Sequence, residues 1–157
     1  MSSSSALTPR ICVQAEDFDL GAELKRLQQR TTEAGAVASF VGCVRHQNEG
    51  DQVFTLTLEH YPGMTEQTLA AICREAEARW PLLDVTIIHR VGTLQPGDQI
   101  VLVAVSSAHR AAAFDACRFI MDFLKTEAPF WKKENTPDGS RWVAARESDD
   151  EAARSWG

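Results

Sequence analysis

Three of the four lysines in this 157-residue chain lie within nine residues, Lys125, Lys132 and Lys133, in the stretch FLKTEAPFWKKE. The chain is otherwise acidic, with a formal net charge of −6, and makes the rest of its basic surface from arginine. Lysine differs from arginine chemically: its pKa moves readily on burial, and its free amine can act as acid, base or nucleophile. Amines gathered against an acidic background mark a candidate reactive site for an anionic substrate. The competing reading is a solvated basic face, with Lys125 favoured by a helix C-terminus. That reading leaves the scarcity of lysine elsewhere unexplained.

Two further segments carry groups suited to anions. Gly42-Cys43-Val44-Arg45 brings an arginine out of the end of an apolar run, where it can clamp a phosphate or carboxylate bidentately; pairing with a surface carboxylate accounts for it equally well. Cys43 has no assignable histidine base and is read as inert. Ser106-Ser107-Ala108-His109-Arg110 opens the longest predicted helix. Its free N–H groups and positive dipole end already attract anions. Cations in a first turn are mildly unfavourable, so His109 and Arg110 there point to a need for positive charge. His109 and Lys125 are sixteen residues apart, roughly 24 Å along one helix. One monomer therefore cannot bring both to one small ligand: either two subunits share the site or the ligand is long. Lys132 and Lys133 are adjacent on a strand-like segment and point to opposite faces. Phe130-Trp131 precede Lys132 and could desolvate it. His60-Tyr61 and His89-Arg90 read as packing residues.

The elements that must position these groups follow from periodicity and punctuation. Residues 1–9 read as a flexible Ser-rich tail and 10–15 as a short strand. Asp19 caps a helix over 20–30, with Leu20, Leu24 and Leu27 on one face. Residues 36–44 are β-branched and apolar, a buried strand, and 45–51 form a polar loop. Residues 52–60 alternate, with Phe54, Leu56 and Leu58 inward, and are expected to pair antiparallel with the strand before them. Thr65 is expected to cap a helix ending near Trp80, before Pro81. Residues 83–91 and 99–106 are strands joined by a Gln95-Pro96-Gly97-Asp98 turn. The second, with IVLVAV, should be central in its sheet. Ser107 is expected to cap a helix over 108–125 with Phe114, Cys117, Met121 and Leu124 as its core stripe. Residues 130–135 and 140–145 flank a turn as a closing hairpin. The tail from 147 reads as charged and peripheral.

Bulk properties narrow the class. The length fits one α+β domain with a mixed or antiparallel sheet. Apolar content of 44% and charged content of 24% are those of an ordinary globular protein. The negative balance argues against broad nucleic-acid or membrane binding. Cys12, Cys43, Cys73 and Cys117 stand singly, so reduced thiols are expected. His, Asp, Glu and Cys do not group at metal-ligand spacing, and no phosphate-binding glycine loop is present. Residues 1–10 lack the apolar run of a signal peptide, so the expected compartment is the cytoplasm.

The segments FVGCVR, LTLEHYPGMTE, HRVGTLQPGDQIVLVAVSSAHR, FIMDFLKTEAPFWKKE and RWVAARESD resemble, in order, the large catalytic subunit of molybdopterin synthase, the MoaE family. The likeness runs over about residues 10–150, which it defines as a MoaE-like catalytic domain, with 1–9 and 151–157 as tails. It implies an α/β hammerhead fold and a homodimer of large subunits within a heterotetramer. A small ubiquitin-like (MoaD-type) subunit threads its thiocarboxylated C-terminus into each large subunit. The implied reaction transfers two sulfurs to cyclic pyranopterin monophosphate, forming the dithiolene of molybdopterin. No cofactor is implied, since the partner's thiocarboxylate supplies the sulfur. By motif, Lys125 and Lys132 match the family's two essential lysines. Arg45, His109 and Arg110 match phosphate contacts, Lys133 and Glu134 extend the substrate-contacting run, and Arg146 matches a basic pocket residue. Cys43 and Val44 lie on the substrate-contacting loop; Cys43 stands where relatives carry lysine or other residues and receives no catalytic role. The rival from another class is a non-catalytic dimeric module binding a phosphorylated ligand or ubiquitin-like partner. A phosphohydrolase would lack its usual metal ligands or nucleophile pair.

Overall fold

The computed structural model describes residues 8–48, 51–52, 55–137, 139–143 and 147–156. In chain order the first elements are β1 (Arg10–Gln14), α1 (Leu20–Gln29), β2 (Ala36–Cys43), β3 (Gln47–Asn48), β4 (Asp51–Gln52) and β5 (Thr55–His60). There follow α2 (Met64–Arg79), β6 (Asp84–Arg90), β7 (Gly92–Leu94) and β8 (Gln99–Ser107). The last are α3 (Arg110–Glu127), β9 (Phe130–Thr136), β10 (Gly139–Val143) and α4 (Glu147–Arg154). The main sheet has the order β1-β6-β8-β2 and a second sheet the order β10-β9-β5-β7, with β3-β4 a small ribbon. Among the described strands only β1 on β6 is parallel, so the main sheet is mixed, in line with the α+β expectation.

Burial on both faces explains the unbroken apolar run in β8. Val101, Val103 and Val105 meet Leu69, Ile72 and Ala76 of α2 and Ala113, Ala116 and Ile120 of α3. Leu102 and Ala104 face the other way, onto Phe18 just before α1 and Leu27 within it. β8 is central, as expected, and α1 starts where Asp19 Oδ1 accepts from Ala22 N at 3.0 Å. The turn into β8 needs Gly97, whose φ is +91°. Its hydrogen bonds run from Asp98 N to Gln95 O and from Gln95 N to Asp98 Oδ2, both 2.9 Å.

Several local expectations are corrected. β2 does not pair with β5: it runs along β8 from Ala36↔Ser107 to Cys43↔Gln99, while β5 lies between β9 and β7. A central β8, buried on both faces, takes β2 as its second neighbour, and the half-polar β5 goes to the smaller sheet. The polar loop after β2 contains the β3-β4 ribbon. Phe54 lies outside the described residues, but Leu56 and Leu58 point inward. Thr65 does not cap α2; it is buried with Oγ1 donating to Tyr61 O at 2.8 Å, and Gly63 N donates to Glu66 Oε1 at 2.9 Å instead. Phe114 is 67% exposed rather than in the stripe, which runs through Ala113, Ala116, Cys117, Ile120, Met121 and Leu124. The segment read as a peripheral C-terminal tail forms α4 and docks. Trp156 packs edge-on to Trp80 and Phe119 and donates from Nε1 to Asp122 Oδ2 at 2.6 Å.

Candidate functional site

The candidate groups sit at strand ends and at both ends of α3. After β2, the register shifts between Gly42 and Cys43, which leaves Cys43 exposed. Val44 then turns into the core of the second sheet with Leu56, Leu58 and Leu94. Its N–H donates to Asp98 O at 2.9 Å and its carbonyl accepts from Gly97 N at 2.8 Å. With side chain and backbone both committed, Val44 anchors the exposed Arg45.

The turn into α3 is fixed from two sides. Ser107 is the last residue of β8, not the cap; its Oγ donates to Pro81 O at 2.8 Å and accepts from His109 N at 3.2 Å. His109 itself takes the N-cap position with extended backbone, and Arg110 opens the helix. Both are exposed. On the other side, Gly35 N donates to Ser107 O at 3.0 Å, and a Cβ on Gly35 would run into the Ala108 carbonyl oxygen. Only glycine allows β2 to start this close to the turn.

Lys125 is exposed in the last turn of the same unbroken helix, so α3 holds it at the opposite end from His109. The expected separation within one chain therefore stands. On β9, Lys132 is the cross-strand partner of Leu58 and Glu134 of Leu56, both buried leucines. These two polar side chains thus face inward, Lys132 half-buried and Glu134 5% exposed. Lys133 faces outward beside Thr57, its Nζ 5.6 Å from the Trp142 ring centre, within cation–π range. The structure thus groups Lys132 with Glu134 and turns Lys133 away. Arg146 lies outside the described residues.

Two histidines that the sequence reading assigned to packing meet at this inner face. His89 is 3% exposed and stacks on Phe130, centroids 3.7 Å apart, with His60, the cross-strand neighbour of Phe130, 6.2 Å from that ring. Burial above all, with the nearby Lys132 and His60 charges, holds His89 down at about 4, against an opposing bond to the Arg90 carbonyl. Burial also pushes the Cys73 thiol up to about 12 and Cys117 to about 11, which makes both inert. Among the described residues no three His, Cys, Asp or Glu side chains are placed to hold a metal. None of the described helices is long and apolar enough to cross a membrane. A groove of about 530 Å³ between α2 and α3, floored by Ile72, Phe119 and Phe123, contains none of the candidate residues.

Fold and side-chain placement define a class: a two-sheet α+β protein whose candidate chemistry rests on amines, guanidinium groups and imidazoles in place of a glycine-rich phosphate loop. The family model described as MoaE protein matches residues 13–127. The molybdopterin synthase catalytic subunit of Escherichia coli K12 is 59% identical over 147 residues, which cover 94% of this chain and 97% of that protein. The solved molybdopterin biosynthesis MoaE protein from Burkholderia ambifaria superposes with a TM-score of 0.83 at 55% identity, covering 96% of this chain and 99% of that one. A chain from the complex of subunits 1 and 2 of molybdopterin-converting factor from Helicobacter pylori shares the fold, at TM-score 0.70 and 19% identity, over 87% of this chain and 90% of that one. The chain belongs to the MoaE family.

Proposed function

We propose that this chain is the catalytic large subunit of a molybdopterin synthase, a sulfurtransferase of molybdenum cofactor biosynthesis. The observation that carries the reading is 59% identity to a molybdopterin synthase catalytic subunit over nearly the full length of both chains. In this reading a small ubiquitin-like subunit presents its thiocarboxylated C-terminus, and the acceptor is cyclic pyranopterin monophosphate. The sulfur attacks a pterin carbon, giving a tethered thioester-like intermediate that water hydrolyses to release the spent small subunit. Arg45, His109 and Arg110 hold the phosphate and stabilise developing negative charge as fixed electrostatic partners. Lys125 moves protons during sulfur addition and ring opening, and Lys132 binds the tail or assists in the same step.

The length of α3 supports a homodimeric arrangement. His109 and Lys125 stand at opposite ends of one rigid helix, roughly 24 Å apart. A site that uses both on one small substrate draws one of them from a second copy of the chain. The cytoplasm is the compartment in which reduced thiols such as exposed Cys43 persist.

The test is reconstitution. The purified chain is mixed with thiocarboxylated small subunit and cyclic pyranopterin monophosphate, and dithiolene formation is followed. Dithiolene product with release of the spent carboxylate tail is the expected result. Binding of both components without product would favour the non-catalytic module instead.

A further inference from the structure

His89 carries none of the roles assigned above, yet it sits where the two sheets meet, near Lys132. Phe130 precedes Lys132 by two residues on β9, so both side chains leave the strand on the same face. Phe130 is held there by His89 from β6, stacked face to face at 3.7 Å and 14°, with His60 beside it across the β5–β9 ladder at 6.2 Å. His89 Nδ1 lies 2.8 Å from the Arg90 carbonyl. A carbonyl only accepts, so Nδ1 carries the proton and Nε2 keeps its lone pair. The charged and titratable groups around the ring are Lys132 on β9 and His60 on β5. Its strand partners on β1 and β8, Val13 and Val101, carry no charge. The Arg90 guanidinium is turned to the carbonyls of Ala15 and Gln99. At neutral pH the His89 ring is therefore uncharged, held so by burial above all and also by the nearby Lys132 charge.

We propose that His89 is a positioning residue for Lys132: its Nε2 lone pair receives the Lys132 ammonium, while the stack on Phe130 fixes both the ring and the strand. The inference rests on the proposed catalytic role of Lys132. A half-buried ammonium beside a neutral acceptor holds its proton more firmly and is drawn toward that acceptor; removing the acceptor weakens both effects.

His89→Phe keeps the stack and removes the lone pair, whereas His89→Gln returns an amide oxygen near the Nε2 position. In the full chain, the Lys132 Cε resonance is followed against pH with carbon-13-labelled lysine. The apparent pKa of Lys132 should fall by about one unit or more in His89→Phe and recover in His89→Gln. In the complete enzyme, His89→Phe should lower kcat about tenfold with little change in KM, and move the Lys132 limb of the pH–rate profile downward. An unchanged Lys132 titration in folded His89→Phe overturns the proposal and leaves His89 a packing residue. If that variant does not fold, His89→Asn, which keeps only the Nδ1 donor, is compared with His89→Gln; equal Lys132 titrations in the two overturn it. Lys132→Met with normal turnover would overturn the role of Lys132 itself, a result on which the titration does not depend.

Discussion

Gly35→Ala places a methyl group in the backbone carbonyl of Ala108, the residue before His109. The obstacle is main chain rather than the tip of a flexible side chain, so either the start of β2 or the turn into α3 must move. The same two segments are tied by the 3.0 Å bond from Gly35 N to Ser107 O. Overpacking of this kind costs about 1–3 kcal/mol, and weakening that bond about 1 kcal/mol more. The lower unfolded-state entropy of alanine returns about 0.4–1 kcal/mol. The net loss is about 2 kcal/mol, or about 4–8 °C in Tm for a chain of this size. Gly21→Ala is the control of opposite sign. Gly21 is exposed in the first turn of α1, and its Cβ would meet only Asp19 Oδ1, at an ordinary 3.4 Å. Helix propensity should make that variant about 0.5–1 kcal/mol more stable. Calorimetry and urea unfolding measure both, and turnover reads the displacement of His109 and Arg110. A wild-type Tm in Gly35→Ala would refute the packing argument. A lowered Tm with undiminished turnover would refute the link between that turn and the site.

Lys125→Ala should fold and bind the small subunit normally while losing dithiolene formation, since Lys125 is exposed and its removal leaves no cavity; near-normal turnover would sink its role. Arg110→Ala should chiefly raise the dissociation constant for cyclic pyranopterin monophosphate, measured by calorimetry, and unchanged affinity would dispose of the phosphate contact. Stability should also fall in mild acid. His89 titrates at about 4 in the fold against 6.5 as its ordinary value, so the unfolded chain binds the extra proton first. The contribution is complete above pH 6.5 and declines as pH falls toward 4, by about 3 kcal/mol in all. Urea unfolding at pH 7 and pH 4.5 measures it; a wild-type slope surviving in His89→Gln would assign the loss to other groups.

How much was legible in the sequence depends on the range of the interaction that decides each feature. The Asp19 cap, the Gly97 turn and the stop before Pro81 are settled within a few residues, and the structure has them as read. The apolar run of β8 announced a central strand because burial on both faces leaves no polar alternation. The partner of β2 was not readable that way. Neighbours in sequence suggested β5, but pairing is decided by which strands must cover β8, residues 99–107, far along the chain. Phe114 was misplaced because the stripe on α3 is set by where β8 and α2 lie, and it passes one position to the side. His89 opens one of the family-like segments, but nothing local gives it a role; its place against Phe130 and near Lys132 exists only after two sheets meet.

The lysine cluster was the clearest sequence signal for chemistry, and the fold divides it by geometry. Strand alternation turns Lys132 inward with Glu134 and leaves Lys133 over Trp142, so proximity in sequence does not make these two lysines equivalent. Lys125 is parted from them by the break at Ala128–Pro129, after which the chain changes from helix to strand. An amine at the end of a rigid helix and an amine on the inner face of a sheet differ in what can tune them. Lys125 answers to solvent and to whatever docks against α3, whereas Lys132, half-buried on the inner face of its strand, answers to fixed groups of its own chain, with His89 near it. A reaction that must both capture a peptide tail and move protons has use for one amine of each kind. Swapping the environments is therefore more informative than deleting the amines: changes at His89 should alter the Lys132 titration and leave that of Lys125 untouched.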